Sequence, residues 1–226
     1  MIEPKETQYA ACHAAEPVTL GPMASEAYRR DPKRLGFTLA RYKFVSKMLT
    51  GFGRVAEIGC GDGFGSTVVE KEVKLLNLFD FDEAWKPFAE KATGRRFQVH
   101  DIVKAALDGW SYEAIYMLDV IEHIAPADEA TVMHNIARSL DKNGVLIIGT
   151  PSLESQPYAS AQSARGHVNC KSGEKLRSAM LKNFGRVFMF GMNDEMVHVG
   201  FMPMCQYLFA VCVGRRETLL SWDGHP

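Results

Sequence analysis

The chain has 226 residues, 46% of them hydrophobic, and a formal net charge of -1. That length suits one α/β domain with additions at its ends and is too short for a second full domain. Near-neutral charge excludes a general attraction to nucleic-acid phosphates, and the longest apolar run near the C-terminus, Tyr207 to Val213, is far too short to cross a bilayer. No basic-then-apolar order marks a signal peptide, so a cytosolic protein without a membrane or nucleic-acid partner is expected. The cysteines, Cys12, Cys60, Cys170, Cys205 and Cys212, form an odd set with no C-x-x-C pair. This argues against a disulfide framework and a structural zinc site.

Residues 1 to about 30 mix Pro, Ala, Thr and Gly without periodicity and read as an irregular arm. From Lys33 to Leu49, the residues Leu35, Leu39, Tyr42, Val45 and Leu49 recur at three or four, which predicts a helix with one apolar face, ended by Gly51 and Gly53. Val55, Ala56 and Ile58 then make a short buried strand, and Gly59, Gly61, Gly63 and Gly65 alternate through the turn after it. Glycines there let a ligand approach the main chain, and a helix from near Phe64 directs its free N–H groups the same way. The spacing narrows the ligand. A dinucleotide fingerprint fails in both registers, because Phe64 or Ser66 stands where a small Gly or Ala is required, and no P-loop lysine occurs between Arg54 and Glu70. Glu57 would repel a pyrophosphate but could hold an ammonium group directly or through water, which points to a nucleoside carrying an amino acid. Cys60, inside the loop, reads as a small side chain that fits.

A helix is expected from Ser66 to Val73 and a second strand from Lys74 to Phe79, ending in Asp80-Phe81-Asp82. An acid at this point, roughly twenty residues after the glycine turn, is placed to grip both hydroxyls of a ribose, while Asp82 suits a helix cap. Arg96 to His100 reads as a third strand, followed by Asp101-Ile102, and Tyr112 to Leu118 as a fourth, followed by Asp119-Val120-Ile121-Glu122-His123. The latter segment should face the same cleft as the glycine turn. A helix over Asp128 to Leu140 is capped by Asn143-Gly144, and a fifth strand runs from Val145 to Gly149. The polar stretch from Ser152 to Lys171 reads as a lid or binding element. After it come a helix from Ser172 to Asn183, a strand near Val187 to Met192, an insert over 193–198, and a last strand from Tyr207 to Val213.

The segment Glu57-x-Gly59-x-Gly61-x-Gly63 after a first strand resembles motif I of the class I S-adenosylmethionine-dependent methyltransferases. Asp119-Val120-Ile121-Glu122-His123 is similar to the Asp-Val-x-Glu-His segment of the ubiquinone-biosynthesis-type (methyltransferase domain 23-like) subgroup. Gly149 to Ser152, Glu154-Ser-Gln156 and Gly166-His-Val-Asn169 look like segments of methyltransferases associated with bacterial surface sugars. The resemblance implies an α/β fold, a doubly wound seven-stranded Rossmann-like sheet with an antiparallel last strand and an N-terminal helical extension. It implies an arm and helix over residues 1–50 that cover the cofactor, a methyltransferase domain over 51–214 with an acceptor-loop insert at about 151–172, and a tail over 215–226. S-adenosyl-L-methionine is the implied cofactor, held by Glu57, Gly59, Cys60, Gly61, Gly63, Asp80, Phe81, Asp101, Ile102 and Asp119. Here Asp80 takes the ribose, Phe81 covers the adenine and Asp101 accepts its amino group, while Arg34, Arg41 and Lys43 are either partners for the cofactor carboxylate or solvated charges.

Methyl transfer to a hydroxyl requires in-line placement and removal of a proton. His123 and His167 are the catalytic candidates because imidazole titrates near neutrality, although His123 also fits a residue that orders the loop beside Glu122. Tyr158, Asn169 and His198 are the acceptor-side candidates. Asp194, Glu195, His198 and His167 could gather around a divalent cation, but acids adjacent in sequence usually face different ways, and no metal is assigned. The expected reaction is methylation of a hydroxyl, with an amine second, on a small molecule, a sugar or nucleotide-sugar ranked first. A protein methyltransferase and a non-catalytic cofactor-binding module are the alternatives.

Overall fold

The computed structural model describes residues 9–216 except 11 and 110. Its centre is a mixed sheet of eight strands: β1 (Arg54–Ile58), β2 (Leu75–Asp80), β3 (Phe97–Val99), β4 (Tyr112–Leu118), β5 (Leu140–Pro151), β6 (Phe184–Asn193), β7 (Met196–His198) and β8 (Tyr207–Arg215). The order across the sheet is β3-β2-β1-β4-β5-β8-β6-β7. Strands β1 to β5 pair in parallel, and β8 inserts antiparallel between β5 and β6. The chain steps outward from β1 to β2 and β3 and then returns to β4 on the other side of β1. That reversal opens a crevice beyond the carboxyl ends of β1 and β4, the usual ligand position in such sheets.

The count differs from the seven strands expected. The insert after β6 folds back as a hairpin, with Met192 paired to Val197 and Asp194 at a positive φ of 49° in the turn, so the edge gains a short eighth strand.

The helices are α1 (Pro22–Arg30), α2 (Lys33–Met48), α3 (Ser66–Glu70), α4 (Lys86–Thr93), α5 (Glu129–Ser139), α6 (Ala161–Gly166) and α7 (Gly173–Asn183). They cover both faces, because strands that are buried on both sides read as continuous apolar runs. One core joins Ile58, Ile115, Met117 and Ile148 to Val132 and Ile136 of α5 and Leu176 and Met180 of α7. The other joins Val55, Leu78, Tyr116, Ile147 and Phe209 to Tyr42, Val45 and Leu49 at the end of α2 and to Ala89 of α4.

Several boundaries depart from the sequence reading. Residues 22–30, expected to be irregular, form α1, started by Pro22 and held at its first turn by the Ala24 N–H donating to Asp62 Oδ2 at 3.0 Å. The helix after the glycine turn stops at Glu70, five residues long rather than eight. Asn143-Gly144 does not cap α5. The chain enters β5 directly at Leu140, and a register irregularity opposite Tyr112 and Ala114 absorbs the polar Asp141-Lys-Asn143 run. The stretch after β5 contains α6, whose first turn is capped by Ser160 accepting from the Ser163 N–H. Ser172 caps α7 by accepting from Lys175, as its position before the helix suggests.

Candidate active site

The glycine turn is built from backbone geometry. Gly59, Gly61 and Gly63 have φ of 76°, 52° and 71°, a region that residues with a Cβ rarely occupy. The Gly59 and Cys60 N–H groups both donate to the Phe79 carbonyl, which fastens the turn to the end of β2. Asp80 completes this fastening, accepting from the Gly61 N–H and the Asp82 N–H, each at 3.0 Å. The carboxylate is buried and oriented, each oxygen keeping lone-pair capacity for a hydroxyl. Phe81 is 76% exposed directly after it, and the Asp82 carboxylate accepts from Ala84 as the expected cap. Cys60 is buried, and burial foremost, then the charge of Glu57, raises its thiol pKa, so it remains an unreactive filler.

Glu57 sits differently from the expectation. Its side chain is 1% exposed beneath the turn, and both oxygens are engaged: Oε1 accepts from Tyr42 Oη at 2.8 Å and Oε2 from Tyr116 Oη at 2.7 Å. A carboxylate buried beneath the turn and held there by two tyrosine hydroxyls is not presented to a ligand ammonium, so the direct role read for it is revised to supporting the turn from below. Burial raises its pKa, and burial foremost, then Glu57, holds both phenols well above their ordinary value. The structure also engages Asp101, whose Oδ1 accepts from the Val103 N–H and whose Oδ2 lies 3.2 Å from Lys104 Nζ. Ile102 is buried, and its carbonyl accepts from Asn135.

At the end of β4, Asp119 takes a positive φ of 56° and its Oδ2 accepts from Arg41 Nη1 at 2.7 Å. The Arg41 guanidinium lies 4.0 Å from the centroid of the Tyr207 ring. Burial works against its charge, but Asp119 and Tyr207 outweigh burial and the pKa is raised. Of the three basic residues of α2 considered from sequence, Arg41 alone combines burial with a carboxylate partner. Its Nε, the Tyr207 hydroxyl and Glu122 Oε1 are buried without a hydrogen-bond partner in the structure.

Arg41 and Tyr207 also line a cavity of about 830 Å³, within the usual size of small-molecule sites. Phe37 and Tyr158 supply aromatic surface, and Ser155, Gln156 and Ser160 supply polar groups. His167 reaches this cavity. Its Nδ1 donates to Gln156 Oε1 at 2.8 Å, and its ring lies 5.1 Å from that of His123, edge to face. Burial first, then His123, lowers the His167 pKa, which favours the neutral ring.

Two acceptor-side candidates are placed elsewhere. Asn169 is buried between Glu129 and Lys171, donating to the former at 2.9 Å and accepting from the latter at 2.6 Å, so its amide is consumed by structure. His198 faces Asn193 and Cys205 on the edge hairpin and does not line the cavity. The cation grouping considered from sequence does not form around it either. His167 converges instead with Glu122 and His123. Tyr207, Gln156 and the pair Tyr42 and Tyr116 were missed. The helical face of α2 and the alternation along β4 carried a signal for the tyrosines, since both place apolar-stripe residues against the strand that bears Glu57.

The fold carries a glycine turn at β1 and an anchored acid at the end of β2, an arrangement suited to a nucleoside cofactor, and the lined cavity meets it through Arg41, whose partner Asp119 follows β4. Residues 56–148 match the family model described as a methyltransferase domain. No curated protein matches the chain. Among solved structures, the chain resembles a TehB-like S-adenosylmethionine-dependent methyltransferase from Corynebacterium glutamicum, at 20% identity and a TM-score of 0.60, covering 86% of this chain and 100% of that one. It also resembles the N-methyltransferase NodS from Bradyrhizobium japonicum in complex with S-adenosyl-L-homocysteine, at 16% identity and a TM-score of 0.56, covering 83% and 87%. A chain of the Haloferax volcanii complex between the Trm112 methyltransferase activator and a methyltransferase aligns at 14% identity and a TM-score of 0.66, covering 96% and 100%. These likenesses show the fold. The domain match supports an S-adenosylmethionine-dependent methyltransferase enzyme. Among the described residues, no helix is long and apolar enough to cross a membrane.

Proposed function

We propose that the chain methylates a hydroxyl of a small hydroxylated molecule, with a sugar or nucleotide-sugar ranked first, as in the ubiquinone-type and surface-sugar methyltransferases its motifs resemble. The observation that carries this reading is the cavity beside His167, where aromatic rings alternate with hydroxyl, amide and charged groups. Such a lining suits a ring that is apolar on its faces and polar at its rim. The NodS neighbour bears the name N-methyltransferase, so an amine acceptor is the second outcome to test.

The cofactor supplies an electrophilic methyl group on a sulfonium. Residues 51–214 form the catalytic domain, and α1 and α2 cover the cofactor from residues 1–50. The turn at Gly59 to Gly63 admits the cofactor close to the main chain, with Phe81 beside the adenine. Asp80, held by two backbone N–H groups, accepts from the ribose hydroxyls. Arg41, fixed by Asp119, takes the carboxylate of the methionine portion through its free Nε. The acceptor hydroxyl lies next to His167, and the imidazole pair His167 and His123 is where its proton is lost. Alignment contributes most of the rate, and a positioned base adds ~10²–10⁴-fold.

The test is transfer from methyl-labelled S-adenosylmethionine into a cell extract separated into small-molecule, glycan, protein and nucleic-acid fractions, with Gly59→Arg as control. Control-sensitive label in the small-molecule or glycan fraction is expected. Label confined to protein or nucleic acid refutes the acceptor class, and cofactor binding without label on any fraction refutes the enzymatic reading in favour of a binding module.

A further inference from the structure

Glu122, His123 and His167 present three ligand atoms within 4.8 Å of one another, and their hydrogen bonds determine what those atoms are. The Nδ1 of His123 lies 2.9 Å from the Gly166 carbonyl, which can only accept, so Nδ1 carries the proton and Nε2 a lone pair. His167 is held in the same tautomer. Its Nδ1 faces Gln156 Oε1, and the Gln156 amide cannot be turned around because its Nε2 donates to the Ser152 carbonyl at 3.0 Å. Glu122 is 0% exposed; its Oε2 accepts from Thr150 Oγ1 at 3.0 Å, while Oε1 is buried with no partner. With Glu122 ionised, three acceptors converge; burial first, then Asp119, pushes its carboxyl up to about 8, so a bound cation would displace its proton.

The arrangement is also built rather than incidental. The Glu122 carbonyl accepts from the N–H groups of Val168 at 2.8 Å and Asn169 at 3.0 Å, which clips the segment bearing His167 onto the turn bearing Glu122 and His123. Each imidazole has its Nδ1 anchored to an oxygen, which leaves Nε2 as the nitrogen able to take a cation, as in histidines bound to metal ions.

We infer that Glu122, His123 and His167 form a binding site for one divalent cation at the acceptor end of the cavity. Two imidazole nitrogens and one carboxylate oxygen suit a borderline ion such as Zn²⁺ rather than Mg²⁺, which favours oxygen ligands. Zn²⁺ bonds of ~2.0–2.2 Å place tetrahedral ligand atoms about 3.4 Å apart, so ring rotations on the order of an ångström close the set. Three protein ligands leave a fourth position open, and of the three His167 lines the cavity. The inference rests on the acceptor lying beside His167 and replaces direct proton transfer to an imidazole, since both Nε2 lone pairs go to the cation. The cation binds the hydroxyl oxygen and makes it acidic, and the proton passes to solvent. The alkoxide oxygen then bonds to the methyl carbon while the carbon–sulfur bond breaks and its electron pair stays on sulfur. Acceptor alcohol and S-adenosylmethionine become methyl ether, S-adenosylhomocysteine and one proton.

The experiment titrates Co²⁺ into untagged, chelator-stripped protein and follows its visible d–d absorption, with Zn²⁺ competition and, in parallel, the thermal shift caused by S-adenosylmethionine. Saturation at one equivalent is expected. His167→Ala should weaken Co²⁺ binding more than tenfold, and Gln156→Leu, which removes only the outer partner, by ~10–100-fold, with the cofactor shift retained in both. His123→Ala, at an exposed position, replaces any variant that does not fold. A folded, cofactor-binding wild type that takes up no Co²⁺, or His167→Ala and His123→Ala that bind it as the wild type does, overturns the cation site and leaves the methyltransferase reading standing. Loss of the cofactor shift in the wild type overturns that reading instead.

Discussion

Tyr116→Phe removes one oxygen from the interior and isolates a charge. The hydroxyl donates to Glu57 Oε2 at 2.7 Å from a position that is 0% exposed. Hydrogen bonds to charged groups contribute about 1.5–3 kcal/mol, and the stranded oxygen sets the cost near the middle of that range, about 2 kcal/mol. For a domain of this size the melting temperature should fall by about 4–8 °C. The deficit should depend on pH with a definite sign. Burial already holds the folded pKa of Glu57 above its unfolded value, so the folded state binds more protons between the two. Glu57's contribution is therefore fully present below the ordinary carboxylate range and is lost as pH rises through the raised folded value. Removing a donor raises that value further. The variant's deficit should consequently be smaller at pH 5 than at pH 8 in paired thermal melts. An unchanged melting temperature, or a deficit equal at both pH values, would refute the placement of Glu57 as a buried carboxylate held by two phenols.

Gly63→Ala should destabilise by at least ~1–2 kcal/mol in urea unfolding, because φ is 71° and the new Cβ would lie 2.8 Å from Ala89 Cα on α4. Arg41→Met should weaken S-adenosylmethionine binding by calorimetry at least ~10-fold, and Arg41→Lys should not restore it, since an ammonium cannot keep the planar contact with Tyr207 while bonding to Asp119. Cys12 is exposed and should react promptly with an aromatic disulfide, whereas Cys60 and Cys212, buried and with pKa values raised by that burial, should react only on unfolding. Asp80→Asn should lower cofactor affinity in calorimetry through loss of a charged acceptor, and should also lower the melting temperature, because the amide offers one oxygen to the N–H groups of Gly61 and Asp82.

The features legible in the sequence are those decided within a few residues. Alternating glycines announce positive φ, an acid at a strand end announces a turn or a hydroxyl ligand, and apolar residues at three or four announce the face of α2. These follow from sterics and periodicity, which act along the chain. A crevice beyond the carboxyl ends of the first and fourth strands is likewise expected, since ligands of doubly wound sheets bind there. What the tertiary structure decided is which polar groups spend their hydrogen bonds on one another. Glu57 and Asn169 look free as single letters, but the first is met by tyrosines from α2 and β4 and the second by Glu129 and Lys171. Conversely, His123 and His167 become a pair only because the Glu122 carbonyl captures the backbone beyond His167. Hydrogen-bond capacity belongs to the residue, whereas its remaining availability depends on partners brought from distant parts of the chain.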